Sequence, residues 1–404
     1  MVKKLWNKNY ILMLQGSAVS AIGDLMYSVA VGYWVYEKTG SSGLMGVMSS
    51  ISMFVTMFLS PFSGSIVDKC NRKWLVVLVD TLQGLLMLTV GVLAHMDILN
   101  VPGVLIVAFL AAFGNVFYSP AVSSLMIDII PAADMVRGQS LSSGIHSMIN
   151  LVGSAFSGAM IAIFGVPLIV VINGLSNLYS AVTELFVRVP RTVQQGMPVT
   201  VKSILKDSAT AVKTIFSNRF LSLFVPCALS LNLLGAGPTA LMLPFCMEKG
   251  FTVEQYGYLM SIWTAASLVC VLLLGIIKFK PAARFRIQAF GFIGAIPLLV
   301  LAYFSKSFIP MCIFAFLGAF LNCAGNTVFN ASLMLALPEE NRGAILGFMS
   351  SASVGGIALS TVIYGFLGDL MPMQWLFAAG GLLSLPLMIY LCCSRRTKEF
   401  VLTH

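Results

Sequence analysis

Charged residues are scarce in this sequence. Asp, Glu, Lys and Arg make up only 10% of its 404 residues, whereas hydrophobic residues make up 58% and the mean hydropathy is +0.93. Soluble globular domains carry about 25% charged residues, so the composition excludes an ordinary soluble protein. It also excludes an intrinsically disordered chain, which combines low hydrophobicity with high net charge. The long apolar runs between short polar loops instead predict helices that cross a membrane.

The sequence also lacks the motifs of many enzymes. It contains no His-Glu-x-x-His, no Gly-x-Ser-x-Gly and no phosphate-binding Gly-x-x-x-x-Gly-Lys-Ser/Thr. It has only three His, and its eight Cys are scattered without a Cys-x-x-Cys pair, so neither a metal site nor a cofactor is expected. An intramembrane enzyme is therefore disfavoured, and a pump driven by ATP on this chain alone is excluded.

Twelve apolar stretches are long enough to cross a bilayer core, which needs about 20 helical residues. The predicted fold class is an all-α polytopic membrane protein, with twelve transmembrane helices arranged as two pseudo-symmetric six-helix bundles. The first bundle covers 1–188 and the second 219–394; a cytoplasmic linker with an amphipathic helix covers 189–218, and a cytoplasmic tail covers 395–404. The predicted spans are 9–36, 43–67, 74–95, 101–130, 134–164, 166–188, 219–247, 252–278, 284–304, 308–337, 341–368 and 372–394.

The basic residues indicate membrane orientation rather than nucleic-acid binding. The net charge is +9, but Lys and Arg lie at helix ends and in alternate loops, and none lies deep in a span. With both termini in the cytoplasm, only Lys38, Lys249 and Lys306 fall on the opposite side, as the positive-inside rule requires. We therefore predict a plasma- or inner-membrane protein whose bases contact membrane lipids and not nucleic acid.

The two halves of the chain resemble each other. The stretch from Gly114 through Pro131 to Arg137-Gly138 is repeated from Gly318 through Pro338 to Arg342-Gly343. Duplicated six-helix bundles are typical of alternating-access transporters, in which the substrate path lies between the repeats. One chain of this kind suffices for transport, so a functional monomer is expected.

The loop after the second span carries the most specific motif, Gly64-Ser65-Ile66-Val67-Asp68-Lys69-Cys70-Asn71-Arg72-Lys73. It resembles the pattern Gly-x-x-x-Asp-(Arg/Lys)-x-Gly-Arg-(Arg/Lys) of the major facilitator superfamily. The resemblance implies a gating loop in which the glycine permits close helix approach, the acid caps or pairs, and the bases hold lipid phosphate and the other half. Asn71 replaces the second glycine and is expected to tolerate a left-handed backbone. The gating residues are Gly64, Asp68, Lys69, Arg72 and Lys73.

Further residues narrow the resemblance to one branch. Gly23-Asp24, the run from Trp34 to Ser41, Tyr118-Ser119-Pro120-Ala121 and the run at 338–347 look like macrolide-efflux and enterobactin-exporter-like members. This likeness implies a drug–proton antiporter. The fifth span departs from it, because it lacks the Gly-Pro element typical of many drug–proton antiporters.

Asp24 is the strongest candidate for a functional group. It lies about 12–15 residues from either end of its helix, roughly 20 Å at 1.5 Å per residue, so its short side chain cannot reach interfacial water. Ser20 and Ser28 share its helix face and extend a polar stripe. A carboxyl group held away from water and bases can exchange a proton near neutral pH. The alternative is a hydrogen bond to a neighbouring helix that serves assembly.

Other polar residues within the spans are weaker candidates. Those expected to line the cavity, or to join helices, are Asn115, Tyr118, His146, Asn150, Asn322 and Asn326. Asp80 is placed near the cytoplasmic surface, where it can meet the basic loop, and Glu184 is interpreted as interfacial. Gly235, Gly237 and Pro238 can open the seventh helix locally.

These features favour a proton-coupled exporter of lipophilic or amphiphilic small molecules, with Asp24 as the proton-coupling group. A lysolipid translocator and an uptake transporter for a specific solute remain alternatives. The absence of deep Lys or Arg argues against strongly anionic substrates, and a membrane sensor is disfavoured because no sizeable soluble domain is present. The sequence names neither the substrate nor the direction of transport.

Overall fold

The structure is a computed structural model that describes residues 5–131, 134–188, 212–213, 216–217, 221–276, 281–336 and 342–393. The chain divides into two compact units. Unit 1 comprises Met1–Gly40 and Ile51–Thr200, and unit 2 comprises Ser41–Ser50 and Val201–His404. The predicted tail at 395–404 and most of the predicted linker at 189–218 lie outside the described residues.

Unit 1 consists of long helices whose ends are fixed by local signals. They are α1 (Lys8–Thr39), α2 (Ser42–Lys69, of which the first turns belong to unit 2), α3 (Arg72–His95), α4 (Val101–Ile129) and α5 (Met135–Leu185). Asn7, Asn71 and Asn100 each accept a backbone hydrogen bond at the start of a helix. Gly165 interrupts α5 with φ of 71°, a left-handed conformation that favours glycine. Two of the predicted spans, 134–164 and 166–188, thus meet at this residue.

Unit 2 contains the remaining helices. They are α6 (Leu221–Gly235), α7 (Gly237–Ala240), α8 (Met242–Glu248), α9 (Val253–Ile276), α10 (Pro281–Phe304), α11 (Phe308–Ala336), α12 (Arg342–Gly368) and α13 (Met373–Cys393). Its core includes a cluster of aromatic rings formed by Phe245, Tyr303 and Phe377, with centroids 5.1–5.7 Å apart. Such rings contribute both buried area and favourable edge contacts.

The helix of the seventh predicted span is interrupted at its glycines and proline, as the sequence predicts. Helix α6 ends at Gly235, and α7 and α8 continue after the break. Helix α12 satisfies the backbone groups that the break releases: Gly237 donates its N–H to Ser360 Oγ at 2.9 Å, and Tyr364 Oη donates to the Leu234 carbonyl at 2.6 Å. A broken helix is tolerated at membrane depth when protein groups replace the lost hydrogen bonds in this way.

Ten of the described helices are long and apolar enough to cross a membrane, or eleven if the bent segment Val225–Ala240 with Met242–Glu248 counts as one span. The other predicted span, 134–164, is the first part of α5. The helical, multi-pass class predicted from the sequence is therefore confirmed.

The side chain of Asp369, which directly follows α12, caps the start of α2; both segments belong to unit 2. Asp369 accepts the N–H groups of Ser42 at 2.7 Å and Gly43 at 3.2 Å, and the hydroxyl of Ser41 at 2.6 Å. Ser41 Oγ in turn accepts the N–H of Leu44, so the free donors of the first turn are satisfied. Partial burial raises the pKa of Asp369, but these hydrogen bonds outweigh it and hold the pKa below its usual value.

We expect Asp369→Ala to loosen the first turn of α2. A lost helix cap costs about 1 kcal/mol, so amide hydrogen exchange at Ser42–Leu44 should accelerate about fivefold, measured by mass spectrometry and corrected for intrinsic rates. Asp369→Asn, which keeps an acceptor, should change it less. Because the folded-state pKa is depressed, the stabilisation is present above pH about 4 and is lost as the pH falls through the folded value. Equal protection in Asp369→Ala and the wild type would contradict the cap.

Candidate functional site

Asp24 lies in the middle of α1, facing the second part of α5. Its Oδ1 accepts a hydrogen bond from Asn177 Nδ2 at 3.5 Å. The neighbouring Gly23 allows α5 to come close, because a Cβ added there would collide with Ser176 and Asn173. No ion pair joins Asp24 to a Lys, Arg or His in the described part of the chain. The carboxyl group is thus held by amide groups and by no base.

A cavity of about 320 Å³ in unit 1 opens beside this carboxyl group. It brings together five of the residues predicted for the site: Ser20, Asp24, Asn115, Tyr118 and His146. Ser28 and Asn150 do not line it; each donates to a carbonyl of its own helix, Leu25 and His146 respectively. The polar stripe on α1 therefore contributes the residues nearer the start of the helix, Ser17 and Ser20, rather than Ser28.

Two carboxyl groups are more completely buried than sequence reasoning indicated. Asp80 and Glu184 are 2% and 1% exposed in unit 1, because neighbouring helices cover them. In the part of the chain that the structure describes, no ion pair joins Asp80 to the basic loop, and Arg72 of that loop pairs with Asp128 at 2.9 Å. The distance of a residue from its helix end gives its depth along the axis, but not whether its face is covered by neighbouring helices.

The second part of α5 supplies three residues that sequence reasoning missed, Asn173, Asn177 and Ser180. They are buried, as Glu184 is, and the i, i+4, i+7, i+11 spacing of the four places them on one helix face. This polar spacing within an otherwise apolar span was the signal that could have identified them. The same face carries the amide partner of Asp24.

The motif after the second span is partly described. Arg72 contacts Asp128, and Lys73 donates to the Leu185 carbonyl at 2.7 Å, so both bases make contacts within unit 1. Asn71 has φ of −73° and caps α3 by accepting the N–H of Trp74. Its backbone is therefore not left-handed, and the capping oxygen explains an Asn at this position. A Cβ added to Gly64 would meet no described atom within 4 Å, and close helix approach at Gly64 stays a prediction. Asp68 and Lys69 lie on the last turn of α2, and their side chains fall outside the description.

Unit 2 contains a larger cavity of about 490 Å³. Asn322 and Asn326, predicted from the sequence, line it together with Asn232 and the aromatic side chains of Phe292, Tyr303, Phe329 and Phe377. Asn232 donates to Ser353 Oγ at 3.3 Å, and Asn326 donates to Asn322 Oδ1 at 2.9 Å. No Asp, Glu, Lys, Arg or His is among the described residues that line this cavity. It can hold an apolar molecule with a few neutral hydrogen-bonding groups.

Membrane-length helices in two units, each with a cavity, define a multi-pass membrane protein. The sequence profile of the Major Facilitator Superfamily matches residues 13–307, and the chain belongs to this superfamily of transporters. The resemblance inferred from the loop motif is thereby confirmed.

Two bacterial relatives are named for efflux. Macrolide efflux protein A of Streptococcus pyogenes is 23% identical over 186 residues, which are 46% of this chain and 46% of that protein. Multidrug efflux pump Tap of Mycobacterium bovis (strain BCG / Pasteur 1173P2) is 23% identical over 398 residues, covering 93% of this chain and 90% of Tap. The chain thus matches less than half of the macrolide efflux protein and most of Tap.

Solved structures show the same fold. The nucleoside transporter NupG has a TM-score of 0.74 and 12% identity, covering 94% of this chain and 97% of NupG. A bacterial homologue of the iron transporter ferroportin, in the inward-facing state, has a TM-score of 0.73 and 16% identity, covering 97% and 100%. At these identities the likeness establishes the fold alone.

Proposed function

We propose that this transporter exports lipophilic or amphiphilic small molecules by alternating access, driven by proton influx. The observation that carries the proposal is Asp24, a carboxyl group midway along a membrane helix that borders a cavity and has no described basic partner. Ionisable groups inside a membrane are costly and usually functional. A carboxyl group that is neutral in one state and charged in another can bind a proton and release it.

The cavity in unit 2 supports a substrate that is mostly apolar and not strongly anionic. Its aromatic walls suit large apolar groups, and three neutral amides, Asn232, Asn322 and Asn326, can hydrogen-bond to scattered polar groups on a ligand. The two relatives, a macrolide efflux protein and a multidrug efflux pump, point to the same substrate class.

The proposal is tested by proton release from purified protein when candidate substrates are added. Macrolides, lipophilic cations and lysolipids are added in turn to the wild type and to Asp24→Asn in weakly buffered detergent solution. We expect a proton signal with at least one macrolide or lipophilic cation, and none in the variant. Substrate binding without any proton signal would contradict proton coupling, and a signal with lysolipids alone would favour a lysolipid translocator.

A further inference from the structure

A pair of carboxyl groups is buried in unit 1, next to the Asp24 cavity. Asp80 on α3 and Glu184 on α5 are 2% and 1% exposed. The hydroxyl of Tyr118 lies between them, 3.4 Å from Asp80 Oδ2 and 3.4 Å from Glu184 Oε1. Ser180 Oγ is a further neighbour, 3.3 Å from Glu184 Oε1. The two carboxyl groups therefore share their hydroxyl donors.

These donors are too few for two charged carboxylates. Each hydroxyl carries one hydrogen, so Tyr118 can donate to Asp80 or to Glu184 but not to both at once. Glu184 Oε2 is fully buried and has no hydrogen-bond partner in the described part of the chain. A buried carboxylate oxygen without a donor is costly, whereas a carboxyl group that carries a proton is neutral.

In the described part of the chain, no ion pair joins Asp80 or Glu184 to a base. The titratable groups that act on the pair are Asp24 on α1 and Tyr118 on α4. Two bases at the start of α3 are engaged elsewhere: Arg72 pairs with Asp128, and Lys73 donates to the Leu185 carbonyl. Asp24 adds negative charge when it is ionised. Two carboxyl groups that share a hydroxyl donor in a buried site therefore disfavour the state in which both are ionised.

We propose that Asp80 and Glu184 form a second proton-binding site, which holds a shared proton and exchanges it with the Asp24 cavity through Tyr118. Tyr118 lines that cavity and also contacts both carboxyl groups. When the Tyr118 hydroxyl gives its hydrogen to one carboxylate, its oxygen accepts a proton from the cavity side. The protonation state of Tyr118 is therefore the same before and after the transfer. Asn177 and Ser180 lie on the α5 face that connects Asp24 to the pair.

Infrared spectroscopy of purified protein at pH 7 tests this proposal without substrate, so its result is independent of the proposed efflux. The C=O stretching band of a neutral carboxylic acid is measured in an Asp24→Asn background, which removes the contribution of Asp24. When Glu184→Gln is added to this background, the band should lose an area equivalent to about one carboxyl group. Without Glu184, Asp80 can ionise, because the hydroxyls of Tyr118 and Ser180 can both donate to it. Adding Asp97→Asn, which removes an exposed carboxylate that pairs with Lys38, should change nothing.

An unchanged band after Glu184→Gln would overturn the shared proton. Asp80→Asn should remove the same band area, and it is used instead if Glu184→Gln does not fold.

The route through Tyr118 is tested by transfer of the protein into D₂O, which shifts the band as deuterium replaces the proton. We expect Tyr118→Phe to slow this shift at least tenfold relative to Tyr27→Phe, a tyrosine of α1 that does not line the cavity. Equal rates in the two variants would overturn the route through Tyr118.

Discussion

Replacement of Asp24 by Asn is expected to abolish gradient-driven efflux while leaving the protein folded. A transmembrane pH difference of one unit corresponds to about 1.4 kcal/mol per proton, which supports a substrate ratio of about tenfold for each coupled proton. Without a proton-binding carboxyl group that ratio should fall to one. The measurement is accumulation of a fluorescent lipophilic substrate in inside-out vesicles or proteoliposomes with an imposed pH difference.

The structure explains why this substitution should not unfold the protein. An Asn at position 24 has the shape of the aspartate and keeps a carbonyl oxygen that can accept the hydrogen bond from Asn177. No described ion pair of Asp24 is lost. The loss should therefore be confined to proton coupling, with substrate exchange in the absence of a gradient retained.

Two controls separate coupling from general damage. Ser28→Ala alters the same helix outside the cavity, where Ser28 bonds to the Leu25 carbonyl of its own helix, and should keep full gradient-driven accumulation. Asp97→Asn removes an exposed carboxylate and should do the same. A pH-dependent accumulation that survives in Asp24→Asn would assign coupling to another group, of which the Asp80–Glu184 pair is the first to test.

The sequence predicted those features that depend on position along the chain. Asp24 could be placed at mid-membrane because its distance from both helix ends is large. The break at Gly235, Gly237 and Pro238 followed from residues that weaken helices. The turn at Gly165 was placed by the limit that bilayer thickness sets on span length.

The features that the sequence did not reveal are those that depend on which helices pack together. Asp80 and Glu184 are near the ends of their spans, yet neighbouring helices cover them, and helical periodicity alone does not say which face is covered. Asn71 shows a second limit, because the same amide can support a left-handed turn or cap a helix. Here the backbone that leads into α3 selects the cap.

Introducing a negative charge into the unit 2 cavity should change its substrate preference. Asn232→Asp keeps the size of the side chain, and the Ser353 hydroxyl, which accepts from the Asn232 amide, can rotate to donate to the new carboxylate. The described lining contains no ionisable Asp, Glu, Lys, Arg or His, so the new carboxylate would be its only fixed charge there. Two opposite unit charges 4 Å apart attract by about 4 kcal/mol at an effective dielectric constant of 20, before desolvation is subtracted.

We therefore expect Asn232→Asp to favour lipophilic cations by about tenfold or more over uncharged molecules of similar size, since each 1.4 kcal/mol is tenfold in affinity. The comparison uses tetraphenylphosphonium and triphenylphosphine oxide, with binding measured by fluorescence or calorimetry on purified protein. Asn232→Ser, which is neutral, should leave the ratio of the two affinities close to that of the wild type. The preference should fall at low pH as the new carboxyl group takes up a proton. An unaltered affinity ratio in a folded Asn232→Asp protein would mean that these ligands bind elsewhere, and the unit 2 cavity would lose its assignment as the substrate site.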